Sequence, residues 1–356
     1  MATLYTTEDI LSNIYLDNEN KGRGWLELIR KLKPTLRIIV TNGSDYAENE
    51  SNLINLIAKD FDIIPNHECV DETDGSAILK HIVETHKSEL SDTNSIILLD
   101  ISTEEAKNIS DTYGIVCQPF EEDINNNPLF QEGIEKNVYK DEHPKGWQDI
   151  FCSDCDIPSN SLIFVDRYLF SKEGSITSQD GIENVYDILN SVLPKSLGVD
   201  YHILIVFDAS TLNSNDGDTF QRISTHLNKL KERLRRTRKY NIIIETLSLD
   251  RNTPHYNETH NRRILSNYFI LRVDRSLKAF RESHSLYSQS LWLDWSASKG
   301  IVHQINSDLP DKELRQYLSK IRKAIKQLKS VKGDVLFSQN GNPKIPLENI
   351  HNRLVK

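Results

Sequence analysis

The stretch that determines the fold class is Ser161-Leu162-Ile163-Phe164-Val165-Asp166-Arg167-Tyr168, in which four consecutive apolar residues precede two charged ones. A short apolar run bounded by polar residues predicts a buried β-strand. The strand opens a series of elements that continues for about a hundred residues. That series, rather than any single residue, indicates how this part of the chain is built.

Downstream of this strand the chain alternates between helix-like and strand-like segments. Apolar residues recur at helical spacing along one face of the longest of them, at Phe220, Ile223, Leu227, Leu230 and Leu234. The predicted elements are a helix over Ile182–Leu193 that stops before Pro194, a strand over Tyr201–Phe207, a helix over Thr219–Lys239 and a strand over Asn241–Leu247. Such alternation of strand and helix predicts the α/β class.

Three further segments complete this part of the chain. His260–Val273 predicts either a strand pair or a turn followed by a strand, and Ser290–Trp295 is an alternating aromatic segment typical of core. Pro310–Ser330 carries an apolar stripe opposite basic residues, which predicts an amphipathic C-terminal helix.

The N-terminal part also alternates between strands and helices. We predict strands over Leu36–Val40, Ile96–Leu99 and Ile115–Gln118, and helices over Asn52–Phe61, over Ser76–His86 and from near Ser102. The expected structure is a Rossmann-like domain with a parallel sheet. Asp45 and Asp100 follow strands, where ligands bind in open α/β sheets, so metal-dependent chemistry there is one alternative.

Length and composition divide the chain in two. A chain of 356 residues exceeds the ~250 to 300 residues at which single cores stop growing, so two domains are expected. Residues 121–160 are rich in Asn, Asp, Glu and Pro and predict a connection. The predicted organisation is therefore a domain over 1–120, a connection over 121–160 and a second domain over 161–356.

Charge differs sharply between the two parts. Residues 1–160 hold 13 Lys and Arg against 31 Asp and Glu, whereas residues 161–356 hold 30 against 21. The overall charge of −9 therefore combines an acidic first domain with a basic second domain. A polyanionic partner for the second domain is one explanation, and attraction between two complementary domain surfaces is the other.

The sequence predicts no cofactor, no transmembrane segment and a cytoplasmic location. It contains neither Gly-x-Gly-x-x-Gly nor a Walker-type loop, and no window approaches the ~20 apolar residues that span a bilayer. Its four cysteines are too scattered for a disulfide scaffold. No metal site is predicted, although Cys152 and Cys155 with His67 and Cys69 leave a zinc alternative open without regular spacing.

The segment whose side chains are best suited to ligand binding or catalysis lies between residues 260 and 280. It contains His260-Asn261-Arg262-Arg263-Ile264, then Asn267, then Arg275-Ser276-Leu277. A histidine, guanidinium groups, an amide and a hydroxyl close to a predicted strand suit the binding of an anionic phosphate. The predicted site consists of His260, Arg262, Asn267, Arg275 and Ser276.

The order of these elements, followed by His-x-Arg, resembles one half of the phospholipase D superfamily fold. The divergent phospholipase D-like domain at the C-terminus of MIT-domain proteins is more similar still, with His-Asp-Arg-x-Ile, an Asn beside an aromatic, and Arg-Gly-Leu-Asp-x-Phe. This chain has His260-Asn261-Arg262-Arg263-Ile264, Asn267-Tyr268 and Arg275-Ser276-Leu277-Lys278-Ala279-Phe280. The resemblance covers residues 160–300 and is dense only over 260–280.

The resemblance implies a role for each matched residue. His260 falls at the position of the nucleophile, Arg262 at that of the lysine, Asn267 at that of the aspartate and Ser276 near the small hydroxyl. In the superfamily such groups cleave phosphodiesters through a phosphohistidine, and single-motif members pair two histidines in a homodimer. The MIT-associated domains instead bind phosphoinositides without catalysis, which is the second implied function.

A structural role for the same residues also stays open. His260 and Arg262 would then only satisfy backbone groups or a carboxylate such as Asp166 or Asp274. Replacement of Lys by Arg262 keeps a good phosphate ligand, because the guanidinium binds oxyanions bidentately. Replacement of the aspartate by Asn267 removes the carboxylate that would orient the histidine, so binding is favoured over catalysis.

A basic run ends the long predicted helix, and it indicates a nucleic-acid partner. Its candidate contacts are Lys231, Arg235, Arg236, Arg238 and Lys239. Cations near a helix C-terminus also favour the helix dipole, so a solvated helix end is the alternative. We therefore expect a phosphate-recognising protein that binds nucleic acid backbone, with phosphodiesterase or nuclease activity as an extension, or else an adaptor for anionic phospholipid or partner proteins.

Overall fold

A computed structural model describes most of the two α/β regions of the chain. The described residues are 2–16, 22, 24–26, 29, 36–41, 62–65, 74–92, 94–122, 134–151, 157–171, 178–208, 217–249, 262–281, 285–296, 338–339, 342–343 and 352–354. They divide into two compact units. Unit 1 contains the described residues up to Glu122, and unit 2 contains those from Ile134 onward.

Unit 1 is built around a five-stranded parallel sheet. Its elements are β1 (Ala2–Thr7), α1 (Glu8–Leu16), β2 (Leu36–Thr41), β3 (Asp62–Pro65), α2 (Gly75–Asp92), β4 (Asn94–Leu99), α3 (Thr103–Tyr113) and β5 (Val116–Pro119). The strand order is β3-β2-β1-β4-β5, and every pair is parallel. This is the order of the first five strands of doubly wound dinucleotide-binding folds. The predicted α/β class and parallel sheet are confirmed.

Local sequence explains β4 and α3 directly. Ile96 to Leu99 are fully buried in β4, as the apolar run predicts. The helix predicted from near Ser102 begins with a capping box, in which Ser102 and Glu105 each accept from the other's backbone N–H. It ends at Gly114, whose φ of 64° is the left-handed conformation that glycine tolerates best.

Unit 2 is built around a seven-stranded mixed sheet. Its elements are β6 (Ile134–Tyr139), α4 (Trp147–Ile150), β7 (Ser161–Val165), α5 (Ser178–Val192), β8 (Tyr201–Asp208), α6 (Gly217–Arg235), β9 (Ile242–Leu249), β10 (Arg263–Ser266), β11 (Ile270–Val273) and β12 (Ser290–Ser296), with a short pair, β13 (Ser338–Gln339) and β14 (Asn342–Pro343). The strand order is β6-β12-β11-β10-β7-β8-β9.

The pairing of strands in the sheet of unit 2 changes from parallel to antiparallel at β7. Strands β7, β8 and β9 are parallel, whereas β10, β11, β12 and β6 pair antiparallel to their neighbours. Helices α5 and α6 make the connections between the parallel strands, since a parallel pair needs a crossover. On α6 the predicted apolar face is buried at Ile223, Leu227, Leu230 and Leu234.

The structure differs from the sequence interpretation within residues 121–160. Part of this predicted connection forms β6, which pairs antiparallel with β12 along six residues. Val138 of β6 is buried, whereas Glu135, Asn137 and Tyr139 are exposed, so this edge strand lacks the apolar run that marks a central one. The predicted helices over Asn52–Phe61 and Pro310–Ser330 lie outside the described residues, as do all four candidate zinc ligands.

Two kinds of feature are absent from the described residues. None of the helices in that part of the chain combines the length and the apolar character that crossing a bilayer requires. No group of three or more His, Cys, Asp and Glu side chains there is placed to hold a metal ion. Asp100 is exposed directly after β4, and Asp45 lies outside the described residues.

Candidate functional site

Some of the predicted site residues of unit 2 meet at one end of the central strands of the seven-stranded sheet. Val165, the last residue of β7, pairs with Arg263 of β10, and Arg263 pairs in turn with Arg272 of β11. The residues that extend these strands by one or two positions are Asp166, Arg262 and Asp274. Pairing thus brings together side chains separated by about a hundred residues. We call this cluster, with Arg275 and Ser276, the β7 edge site.

Asp166 is the buried centre of the β7 edge site. Its side chain is fully buried and accepts three hydrogen bonds, from the Tyr168 N–H at 2.9 Å, the Leu277 N–H at 2.6 Å and the Ser276 hydroxyl at 2.5 Å. Burial raises the pKa of Asp166, and these bonds together with the charge of Arg262 oppose that rise. Asp166 therefore ties the end of β7 to the segment after β11.

Arg262 lies beside Asp166, and its position is set by a backbone group. Its Nη1 donates to the carbonyl oxygen of Asp274 at 2.9 Å, and its guanidinium lies 5.9 Å from the centre of the Tyr168 ring. No carboxylate in the described part of the chain forms an ion pair with it. The backbone contact matches the structural alternative that the sequence left open, but it uses only one of the guanidinium nitrogens.

Arg275 and Ser276 occupy the loop that follows β11. Arg275 is exposed, and its side chain makes no hydrogen bond within the described residues. The Ser276 hydroxyl donates its hydrogen to Asp166 and accepts from the Lys278 N–H at 3.1 Å. Ser276 therefore positions the loop, and its hydrogen is not available to a phosphate oxygen in this arrangement.

A buried charged pair lies at the same ends of strands β7 and β8. Arg167 Nε is 3.6 Å from Asp208 Oδ2, and both side chains are buried. Asp208 ends β8 and its N–H donates to the Arg167 carbonyl, so the pair joins the ends of two parallel strands. We did not predict Arg167 or Asp208 from the sequence. Their signal is a charged residue directly after an apolar strand, a criterion that we applied only in the N-terminal part, to Asp45 and Asp100.

Asn267 does not belong to the β7 edge site. It follows the opposite end of β10 from Arg262, so four strand residues, at ~3.3 Å each, separate the two. Its Oδ1 accepts the N–H groups of Asn160 and Ser161, both at 3.0 Å, and its Nδ2 donates to Asn160 Oδ1 at 3.0 Å. The predicted phosphate contact by Asn267 is thus replaced by a buried structural role. His260 lies outside the described residues.

The predicted basic run divides into residues with different surroundings. Arg235, Arg236 and Lys239 are exposed, whereas Lys231 is partly buried, which together with the charge of Arg235 lowers its pKa. Arg238 is buried and donates from Nη2 to the carbonyl oxygens of Asn190 at 2.9 Å and Leu193 at 3.4 Å. Its guanidinium therefore stabilises the end of α5 and is not free to take up a phosphate.

Comparison with known proteins does not assign a family. No family model matches the chain, and no curated protein matches it either. Among solved structures, the phosphatidylserine synthase of Haemophilus influenzae Rd KW20 is 9% identical, over 98% of this chain and 84% of that one, with a TM-score of 0.28. So low a TM-score supports no transfer of fold or residue roles.

Proposed function

We propose that the β7 edge site binds phosphate groups of a nucleic acid backbone. The observation that carries this proposal is the position of Arg262, whose guanidinium is held by the Asp274 carbonyl and forms no ion pair within 4.0 Å with a carboxylate of the described residues. Guanidinium groups bind phosphate oxygens bidentately and strongly. Arg262 supplies one such group, and the exposed Arg275 supplies a second on the neighbouring loop.

The carboxylate of Asp166 does not oppose an anion as strongly as its proximity suggests. Burial encloses this carboxylate and raises its pKa. Its oxygens accept hydrogen bonds from Ser276, Leu277 and Tyr168. Its function in the proposed site is to fix the loop that carries Arg275. The exposed cations Arg235, Arg236 and Lys239 of the same unit would add contacts to a long polyanion, as the basic composition of this part of the chain favours.

Binding is tested by fluorescence anisotropy of the full chain with labelled duplex DNA and single-stranded RNA over a salt series. We expect Arg275→Gln to weaken binding by roughly tenfold and to reduce the slope of log K against log salt by about 0.9 for the duplex and about 0.7 for the single strand. The matched control is Lys145→Gln, which removes an exposed charge elsewhere in unit 2. Equal effects of the two variants would show that the β7 edge site does not contact the backbone.

Two further assays of the same protein test for a lipid ligand and for catalysis. Binding to vesicles containing phosphoinositide, without binding to nucleic acid, would assign the site to a phospholipid headgroup instead. Cleavage is tested with labelled oligonucleotides and the His260→Ala variant. We expect that variant to abolish any cleavage and to retain most of the affinity, because the guanidinium groups remain. Cleavage at the unmutated rate would remove His260 from the mechanism.

A further inference from the structure

We infer that a cavity in unit 2, bounded by α4, α5, α6 and the segment around Phe280, binds a small organic oxyanion, either a carboxylate or a phosphate monoester. The cavity has a volume of about 510 Å³. Small-molecule sites typically measure ~300 to 1,000 Å³. Tyr186 and Phe280 contribute aromatic surface to its lining, and Arg233 and Arg281 contribute the cations. None of these residues belongs to the β7 edge site.

The acidic groups of this cavity have their oxygens occupied by protein donors. Asp187 Oδ2 accepts from the Trp147 N–H at 2.5 Å, and its Oδ1 accepts from Gln148 Nε2 at 2.7 Å. Both oxygens of Glu183 accept from Arg233 Nη1 at 2.8 Å, and Oε1 also accepts from Gln179. The acceptor capacity of the cavity is therefore largely used within the protein.

The basic groups, in contrast, retain donors. Every hydrogen bond of the Arg233 guanidinium within the described residues uses Nη1, which leaves Nε and Nη2 unused. Arg281 is exposed, and its guanidinium contacts only the Tyr287 ring, at 5.3 Å, among the described residues. A ligand that satisfies these groups must bring acceptors. Carboxylate and phosphate oxygens are the acceptors that guanidinium prefers.

Arg233 is also held in place before any ligand arrives. Its guanidinium lies 3.7 Å from the centre of the Tyr186 ring, which is close for a cation on an aromatic face. Together with the Glu183 contact, this stacking fixes the plane of the guanidinium. A fixed cation loses little conformational freedom on binding, so more of the interaction is available as affinity.

The floor of the cavity is equally well defined. Asn184 makes four hydrogen bonds, accepting from Trp147 Nε1 and the Phe280 N–H and donating to the carbonyl oxygens of Asp180 and Phe280. Gly146 lines the cavity, and a Cβ at that position would collide with Asp187 Oδ2. A side chain at Gly146 would therefore displace the Asp187 carboxylate from its place at the cavity.

The inference is tested by isothermal titration calorimetry of the full chain with phenyl phosphate, benzoate and benzyl alcohol. The first two share an aromatic body with an oxyanion, and the third lacks the charge. We expect one of the anionic probes to bind and benzyl alcohol not to bind. The exposed Arg281→Gln variant should weaken that binding roughly tenfold or more. Lys195→Gln, which removes an exposed charge of unit 2 outside both sites, is the control and should leave it unchanged.

Each outcome bears on the inference. Binding of phenyl phosphate alone assigns the cavity to phosphate monoesters, and binding of benzoate alone assigns it to carboxylates. The inference is overturned if neither anion binds, if benzyl alcohol binds equally well, or if Arg281→Gln has no effect. Loss of binding in Arg275→Gln but not in Arg281→Gln would also overturn it, since the anion would then occupy the β7 edge site.

Discussion

Ser276 donates its hydroxyl hydrogen to Asp166 across 2.5 Å, although 110 residues of sequence separate them. The bond joins the end of a central parallel strand to the loop after β11, and Asp166 accepts the Leu277 N–H there as well. Two residues in succession thus fasten the loop to a single carboxylate. The geometry of the loop, and with it the position of Arg275, depends on this attachment.

Ser276→Ala should destabilise unit 2 by about 1.5 to 3 kcal/mol, because the variant removes a hydrogen bond to a buried carboxyl group. Urea unfolding followed by fluorescence measures the change. The control is Ser288→Ala, whose half-buried hydroxyl donates to the neutral carbonyl of Ser290 and should cost less, about 0.5 to 1 kcal/mol. A cost at Ser276 no greater than that at Ser288 would show that the loop is held by other contacts.

Asp166→Asn should change how the stability of unit 2 depends on pH. Burial raises the pKa of Asp166 above 3.8, so the folded state holds this proton to a higher pH than the unfolded state does. The free energy of unfolding of the unmutated protein therefore falls as pH rises from the ordinary aspartate range through the raised pKa. The asparagine of the variant does not ionise. Its free energy of unfolding therefore lacks the decrease with pH that comes from Asp166.

Unfolding curves at about pH 4 and about pH 7 measure the difference. The stability of Asp166→Asn relative to the unmutated protein should increase over this interval, whatever its offset at the lower pH. The exposed carboxylate Asp141 provides the control, through Asp141→Asn. A relative stability that is constant with pH, or that declines, would contradict a raised pKa at Asp166.

Asn267→Ala should cost about 2 to 4 kcal/mol of stability, since it leaves the buried N–H groups of Asn160 and Ser161 without their acceptor. The exposed Asn137 of β6 serves as the control, and Asn137→Ala should change stability by less than about 0.5 kcal/mol. Denaturant unfolding checks both values. Under conditions where the variant is folded, phosphate affinity should be unchanged, and a loss of affinity would return Asn267 to the binding site.

The elements that the sequence predicts are those with strong local patterns. Leu162–Val165 and Ile96–Leu99 are uninterrupted apolar runs, and both are buried strands. The central strand of unit 1, β1, was missed because it contains several threonines, of which Thr3 and Thr6 are nevertheless buried. Strand β6 was missed because an edge strand with one exposed face needs few apolar residues.

The site was predicted less completely than the fold, because its geometry depends on pairing between distant segments. Spacing along the chain placed Arg262 and Asn267 together in the predicted site. Because β10 runs antiparallel to β7, Asn267 lies at the opposite end of the strands from Arg262. The role of Asp166 was equally hidden, since nothing near it in sequence shows that Ser276 and Leu277 reach it.

Arg238 and Arg235 offer a direct test of how the basic run is used. Arg238→Ala should cost about 1.5 to 3 kcal/mol, because its guanidinium satisfies carbonyl oxygens of Asn190 and Leu193 at the end of α5. Arg235→Ala, on the exposed side, should leave stability within about 0.5 kcal/mol. Thermal or urea unfolding of both variants gives these values.

For polyanion binding, in contrast to stability, Arg235→Ala should have the larger effect and Arg238→Ala the smaller. Arg235→Ala should weaken nucleic-acid binding and reduce its salt dependence, because an exposed cation can release counterions from the backbone. Arg238→Ala, compared at a temperature where it is folded, should bind as the unmutated protein does, since its guanidinium already serves α5. A larger loss of affinity in Arg238→Ala than in Arg235→Ala would mean that Arg238 leaves its buried position when the polyanion binds.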